Sequence, residues 1–222
     1  EKGKKDMPKY KNPLQQPLFT PDSSWMIPEV LPDLSKAKEI CIDLETWDPN
    51  LKEKGSGWAR KDGHIVGIAL ATEGWQGYFP VRHRSGGNLD EKLVFSWLKE
   101  MLSTNSDKIC HNASYDIGWL KAEGIEAKGR IIDTMVAAPL IDENRFSYSL
   151  NALGRHYLQE SKNEELLNDA AEAWNVDSKS GLSELPPMYV GPYAEQDAAL
   201  TLRLWKHFKT ELSKQDLWSI FN

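Results

Sequence analysis

EICIDLET, residues 39–46, sets two acids, Asp43 and Glu45, inside a run whose other members Ile40, Cys41, Ile42 and Leu44 are apolar. So short an apolar run suits a buried β-strand. Along a strand, residues two apart share a face, so both carboxylates project to the same side. Burying two unpaired carboxylates is costly. Chance supplies roughly five acid-x-acid pairs in a chain of this acidity, so a solvated strand edge is one reading of the spacing. The apolar setting favours a functional one.

Working outward, the pattern predicts strands over His64 to Thr72 and Trp75 to Val81, separated by a Glu73-Gly74 turn, with a polar loop from Trp47 to Gly63 before them. Val94, Trp97, Leu98, Met101 and Leu102 recur at helical spacing within Asp90 to Leu102. Lys108 to His111 reads as a brief strand. Asn112 then caps a helix to about Glu123, stopped by Gly124. Arg130 to Asp133 reads as a strand leading into a Thr134 to Ile141 helix. Helices over Ser149 to Leu158, Glu164 to Trp174 and about Gly191 to Leu212 complete the chain. Three strands joined by short turns, followed by alternating helices and strands, predict an α/β fold with a mixed sheet: antiparallel strands first, parallel strands after.

Two further segments carry acids in a pattern. In HNASYDIGWL, Asp116 lies one helical turn after Asn112. An ordinary N-cap with a dipole-favoured acid explains this pair as well as a site does. In YAEQDAALT, Tyr193 and Asp197 are one turn apart, on the side continued by Leu200, Leu204 and Phe208. An inward-facing Asp needs a partner, either backbone donors or a metal. Gathered together, the four carboxylates would repel one another unless cations neutralised them. Such a cluster suits two divalent metals acting on a phosphodiester.

The chain has 222 residues, 40% of them hydrophobic, nine Trp and a net charge of −6. That is enough for one large folded domain, and it counts against a scaffold holding nucleic acid by bulk electrostatics. It does not count against a nuclease that meets phosphates through metals. Cys41 and Cys110 lie in strand-like runs and read as reduced, buried small hydrophobes. No apolar stretch approaches membrane-spanning length and no signal-peptide core is present, so a soluble intracellular location is expected. Residues 1–37 hold six of the twelve prolines and five early lysines, and read as a linker or an arm lying on the domain.

In their order, DLET, HNASYD and YAEQD resemble the three exonuclease motifs of the DEDD superfamily in its Tyr-containing branch, and within it the 3′–5′ proofreading domain of family A DNA polymerases. The resemblance covers about residues 38–215. It implies a ribonuclease-H-like sheet flanked by helices, and catalysis by Asp43, Glu45, Asp116, Tyr193 and Asp197. The four acids would hold two divalent cations, Mg²⁺ with Mn²⁺ as a substitute. Asp43 would bridge the two, with Glu45 and Asp197 on one ion and Asp116 contributing to the other. Tyr193 would orient the attacking water, since a phenol is a poor base. Asn112, Leu44 and Thr46 would meet the substrate, and Asp133 in RIIDTMVAA would be structural support. The expected substrate is a single-stranded or frayed DNA 3′ end, the product a nucleoside 5′-monophosphate.

Two rivals stand beside this: a ribonuclease D-like RNA exonuclease with the same site, and a catalytically silent exonuclease-like module. The terminal LWSIFN resembles the junction to a polymerase domain, so a fragment of a larger polymerase is expected, its compactness compatible with a viral or phage source. A monomer is the default. Trp47 and Trp58, with Lys52, Lys54, Arg60 and Lys61 in the 47–63 loop, suit either single-stranded DNA or solvent.

Overall fold

A computed structural model describes residues 17–221. Five strands form one sheet: β1 Glu39–Trp47, β2 His64–Thr72, β3 Trp75–Pro80, β4 Asp107–Cys110 and β5 Ile131–Asp133, in the spatial order β3-β2-β1-β4-β5. β1 pairs antiparallel with β2 and parallel with β4, so the sheet changes character at the strand that carries Asp43 and Glu45. The expected sequence of antiparallel and then parallel strands is present. β2 and β3 are joined at Glu73 and Gly74, where Gly74 takes a left-handed conformation that suits glycine.

Among the described residues eight α-helices accompany the five strands. α1 Leu51–Lys54 follows β1, α2 Glu91–Leu102 precedes β4, and α3 Ala113–Ala122 separates β4 from β5. After the sheet come α4 Thr134–Ile141, α5 Leu150–Leu153, α6 Glu165–Trp174, α7 Pro187–Lys214 and α8 Trp218–Phe221. The two faces of β1 sort its residues between two cores. Ile40, Ile42 and Leu44 pack with Val94, Leu98 and Leu120 of α2 and α3. Cys41 packs on the other side with Ala137, Ala198 and Leu204 of α4 and α7. Asp43 and Glu45 share the parity of Cys41, so alternation directs them toward α7. Both cysteines are buried and free.

Several elements differ from the sequence expectation for identifiable reasons. The final helix begins at Pro187, not near Gly191, and runs through Pro192. Proline is well placed in a first turn, but Pro192 cannot donate to the Met188 carbonyl one turn earlier. The Ser23 hydroxyl donates to that carbonyl instead, at 2.8 Å. The helix expected over Ser149 to Leu158 is α-helical only to Leu153 and then widens into a π turn over Gly154–Leu158. A Cβ on Gly154 would meet Leu200 of α7 at 3.0 Å, a close approach that the glycine permits. The 47–63 loop contains α1 and a 3-10 turn at Gly57–Arg60.

Residues 17–37 form no helix or strand and lie along the domain. Trp25 donates its indole N–H to Glu195, Trp97 donates to the Pro32 carbonyl, and Tyr189 donates to the Pro21 carbonyl. The early lysines of the arm fall outside the described residues. No helix among the described residues is long and apolar enough to cross a membrane.

Candidate active site

β1 enters the site already constrained. Its Asp43 and Glu45 lie opposite Ala69 and Gly67 of β2, with a register shift directly after Glu45. A Cβ on Gly67 would lie 2.0 Å from the Tyr78 hydroxyl, so only glycine leaves room for that ring beside the acids. Tyr78 is held in turn by His83, whose Nε2 is 2.7 Å from the phenol oxygen.

Asp116 arrives from the first turn of α3. One of its oxygens accepts the Leu44 amide of β1 at 3.2 Å, so the second motif is tied to the backbone of the first. The Leu44 side chain is buried in the α2/α3 core. Asn112 occupies the N-cap position, in a left-handed conformation, but its side chain caps nothing. The amides of Asn112 and Ala113 are satisfied by the Asp133 carboxylate, at 3.0 and 2.8 Å. The expected side-chain cap is therefore corrected: Asp133, from the end of β5, caps α3, and the exposed Asn112 is left with the Ser114 hydroxyl.

α7 brings the third motif, and its four polar residues divide the work. Tyr193 and Asp197 face the acids. Glu195 accepts both the Trp25 indole of the arm and the Tyr78 amide of β3, at 2.9 and 3.1 Å. Gln196 accepts the Asn163 amide at 2.9 Å and thereby holds the segment that precedes α6. From that segment comes a residue no sequence motif marks: Lys162, whose ammonium is 2.5 Å from Asp197 and 3.0 Å from the Tyr193 hydroxyl. A lone lysine in SKNEE carries no spacing signal, and only the chain path places it here.

The electrostatics follow from this crowding. Asp116 and Asp197 are 4% and 5% exposed, too little for water to stabilise their charges fully. Burial, then the Asp197 charge, pushes Asp43 up to about 7, with Lys162 opposing. Burial and the charges of Asp43 and Asp197 hold Glu45 well above the carboxylate range. Burial and Asp43 do the same to Asp116. Asp197 is raised by burial against the pull of Lys162. Tyr193 is raised, first by burial and then by Glu45 and Asp197, so it stays a neutral phenol.

The donor set fits hard divalent cations: four carboxylates, each destabilised as an anion, and a buried Asp197 Oδ1 with no hydrogen-bond partner. Among the described residues, however, no group of three or more His, Cys, Asp or Glu side chains stands at ligating geometry. The acids are neighbours by their mutual charge effects without forming a closed cage. His111 is used elsewhere, 2.9 Å from the Thr134 hydroxyl.

Neighbouring side chains tie the surroundings of the site together. Thr46 is 2.7 Å from the Tyr115 hydroxyl, which also reaches Asp48. Trp58 packs against Gly118 of α3, where a Cβ would meet its indole at 2.4 Å, so its ring docks the 47–63 loop. Arg60 donates to the Lys54, Gly55 and Ser56 carbonyls, closing the end of α1. Lys52 and Lys54 remain exposed.

Residues 22–213 match the family described as 3′–5′ exonuclease. The chain is 38% identical over 217 residues to a DNA-directed DNA polymerase of Pseudomonas phage M6, covering 94% of this chain and 33% of that protein. It spans about a third of the length of the first curated relatives it matches. By fold it is similar to a structure described as the POL domain of Pol1 from M. smegmatis in complex with DNA primer-template and dNTP, at a TM-score of 0.57 and 18% identity, covering 85% of this chain and 26% of that one. It is also similar to Brucella melitensis NrnC with bound Mg²⁺, at a TM-score of 0.55 and 17% identity, covering 84% and 79% of the two chains.

Proposed function

We propose, for a chain that belongs to the 3′–5′ exonuclease family of family A DNA polymerases, the metal-dependent hydrolysis of a DNA strand from its 3′ end, releasing nucleoside 5′-monophosphates. The observation that carries this reading is the convergence of Asp43, Glu45, Asp116 and Asp197 on one site, with Tyr193 beside Asp197 and an unpartnered Asp197 oxygen among them. Such acids need positive charge, and a phosphodiester brings more negative charge still.

The four carboxylates would hold two Mg²⁺ ions, or Mn²⁺ in their place. Such ions supply an activated water and neutralise charge on the leaving 3′ oxygen. The chain's own residues do the rest. Asp116 is oriented by the Leu44 amide before any ligand arrives. Tyr193, neutral and hydrogen-bonded, orients the attacking water without taking its proton. Asn112 is exposed at the start of α3, and with the Leu44–Thr46 stretch of β1 it would meet the terminal nucleotide. The lengths of the curated relatives support a linked polymerase domain, with proofreading as the role of this one.

The test is a 5′-labelled single-stranded DNA incubated with Mg²⁺, with chelator, and with Asp43→Asn. A ladder shortening from the 3′ end is expected, lost in chelator and slowed about a thousandfold by the substitution, equivalent to several kcal/mol of transition-state stabilisation. An intact strand in every lane, Mn²⁺ included, would sink the proposal. Faster shortening of a matched RNA would replace DNA by RNA as the substrate.

A further inference from the structure

Lys162 is held more firmly than a solvent-facing lysine needs to be. The backbone around it is tied on two sides. Its own amide donates to the Asn151 side chain at 3.2 Å, while Gln196 accepts the Asn163 amide and donates to the Ser161 carbonyl. One tether is on α5 and the other on α7, within the motif that carries Tyr193 and Asp197. The side chain is only 11% exposed. Its ammonium donates to Asp197 Oδ2 at 2.5 Å and to the Tyr193 hydroxyl oxygen at 3.0 Å, lies 4.5 Å above the Tyr193 ring centre, and has Glu164 at 3.7 Å. Asp197 Oδ1, on the same carboxylate, has no partner.

Two consequences follow. A divalent cation approaching Asp197 meets a carboxylate already half engaged by a fixed ammonium, so lysine and metal compete for one anion. A Tyr193 oxygen that accepts from Lys162 turns its own O–H to Asp197, and once Asp197 goes to a cation that O–H is left to hold a water in a set direction.

We propose that Lys162 is a displaceable counter-cation of this site: it holds Asp197 and Tyr193 in the metal-free protein, yields Asp197 to an incoming divalent cation, and retains the Tyr193 hydroxyl as its acceptor. It is a positioning residue, acting on the reacting water through Tyr193. The inference rests on the metal-dependent reading above.

The test measures Mn²⁺ binding to the whole chain by calorimetry at constant ionic strength, for the unsubstituted protein, Lys162→Met, Lys162→Gln and Lys162→Arg, each checked for folding by circular dichroism. The two neutral variants are expected to bind Mn²⁺ about tenfold tighter or more, within the ordinary range of coupling between two ligands of one site, and Lys162→Arg to stay near the original value. In the neutral variants kcat on single-stranded DNA falls while KM is held. Unchanged or weaker Mn²⁺ binding by a folded neutral variant overturns the proposal, as does a rise in KM alone. If neither neutral variant folds, the unsubstituted chain decides: acetylation of Lys162, followed by mass spectrometry, is expected to accelerate when Mn²⁺ is added. An unchanged rate overturns the proposal. An unsubstituted chain that binds no Mn²⁺ and shortens no DNA fails the metal-dependent reading first, and this inference with it.

Discussion

Tyr193 shows how much a single side chain's role depends on its surroundings. Its phenol sits between Lys162 and Asp197, and burial holds its proton in place. Replacing it with phenylalanine keeps the packing and removes only the oxygen. Tyr193→Phe is therefore expected to lower kcat about tenfold to a hundredfold, the scale of a misplaced reactant. The shape of the pH–rate profile should stay the same between about pH 6 and about pH 9, because no titrating group has been lost. A limb that vanishes from the profile would mean that the phenol ionises during turnover. The Tyr-x-x-x-Asp spacing was legible in the sequence because one helical turn is a local property. Lys162 was not, since its distance from Asp197 is set by the path of the chain through α5 and α6.

At the scale of elements, the end of β5 governs the start of α3. The Asp133 carboxylate accepts the amides of Asn112, Ala113 and Met135, so it caps α3 and α4 together. Asp133→Ala leaves three amides without this acceptor. It should cost about 2 kcal/mol or more, which for a chain of this size lowers the melting temperature by roughly 4–8 °C. Exonuclease activity should fall further than stability alone explains, because α3 carries Asp116. A thermal melt and a cleavage assay on the same preparation check both, and an unchanged melting temperature would remove Asp133 from this role. Asn112 was expected to cap α3 from sequence because an Asn before a helix usually does. The acceptor lies 21 residues further on, and parallel pairing of β4 with β5 is what brings it within reach.

Across the whole molecule, His83 joins layers that are far apart in the chain. It is 3% exposed, contacts Tyr78 through Nε2, and lies 2.8 Å from the Leu185 carbonyl through Nδ1. Burial pushes its pKa down to about 4, against the pull of that carbonyl. The sign follows: between about pH 4 and 6.5 the unfolded chain binds a proton that the folded chain refuses. Its contribution, about 3 kcal/mol, is fully present above pH 6.5 and lost as the pH falls through 4. The raised carboxylates of the site act in the opposite direction, so the informative quantity is a difference. Urea midpoints of the unsubstituted chain should fall more steeply with acid than those of His83→Gln over that window. Parallel slopes would show that His83 is not the group responsible.

What the sequence determined by itself was everything carried by short-range periodicity and local chemistry. The strand around Asp43 and Glu45, the β2–β3 turn at Gly74, the helical stripe of α2 and the order of antiparallel before parallel strands all rest on patterns a few residues long. So do the three acidic motifs, whose joint order identifies the family. Only the tertiary structure decided which groups complete those motifs. Lys162 beside Asp197, Asp133 beneath α3, Glu195 pinning the arm through Trp25, and Ser23 answering the Met188 carbonyl that Pro192 leaves free all join segments distant in sequence. A hydrogen bond or an ion pair depends on separation in space, and local spacing records no such distance once the chain has crossed the sheet.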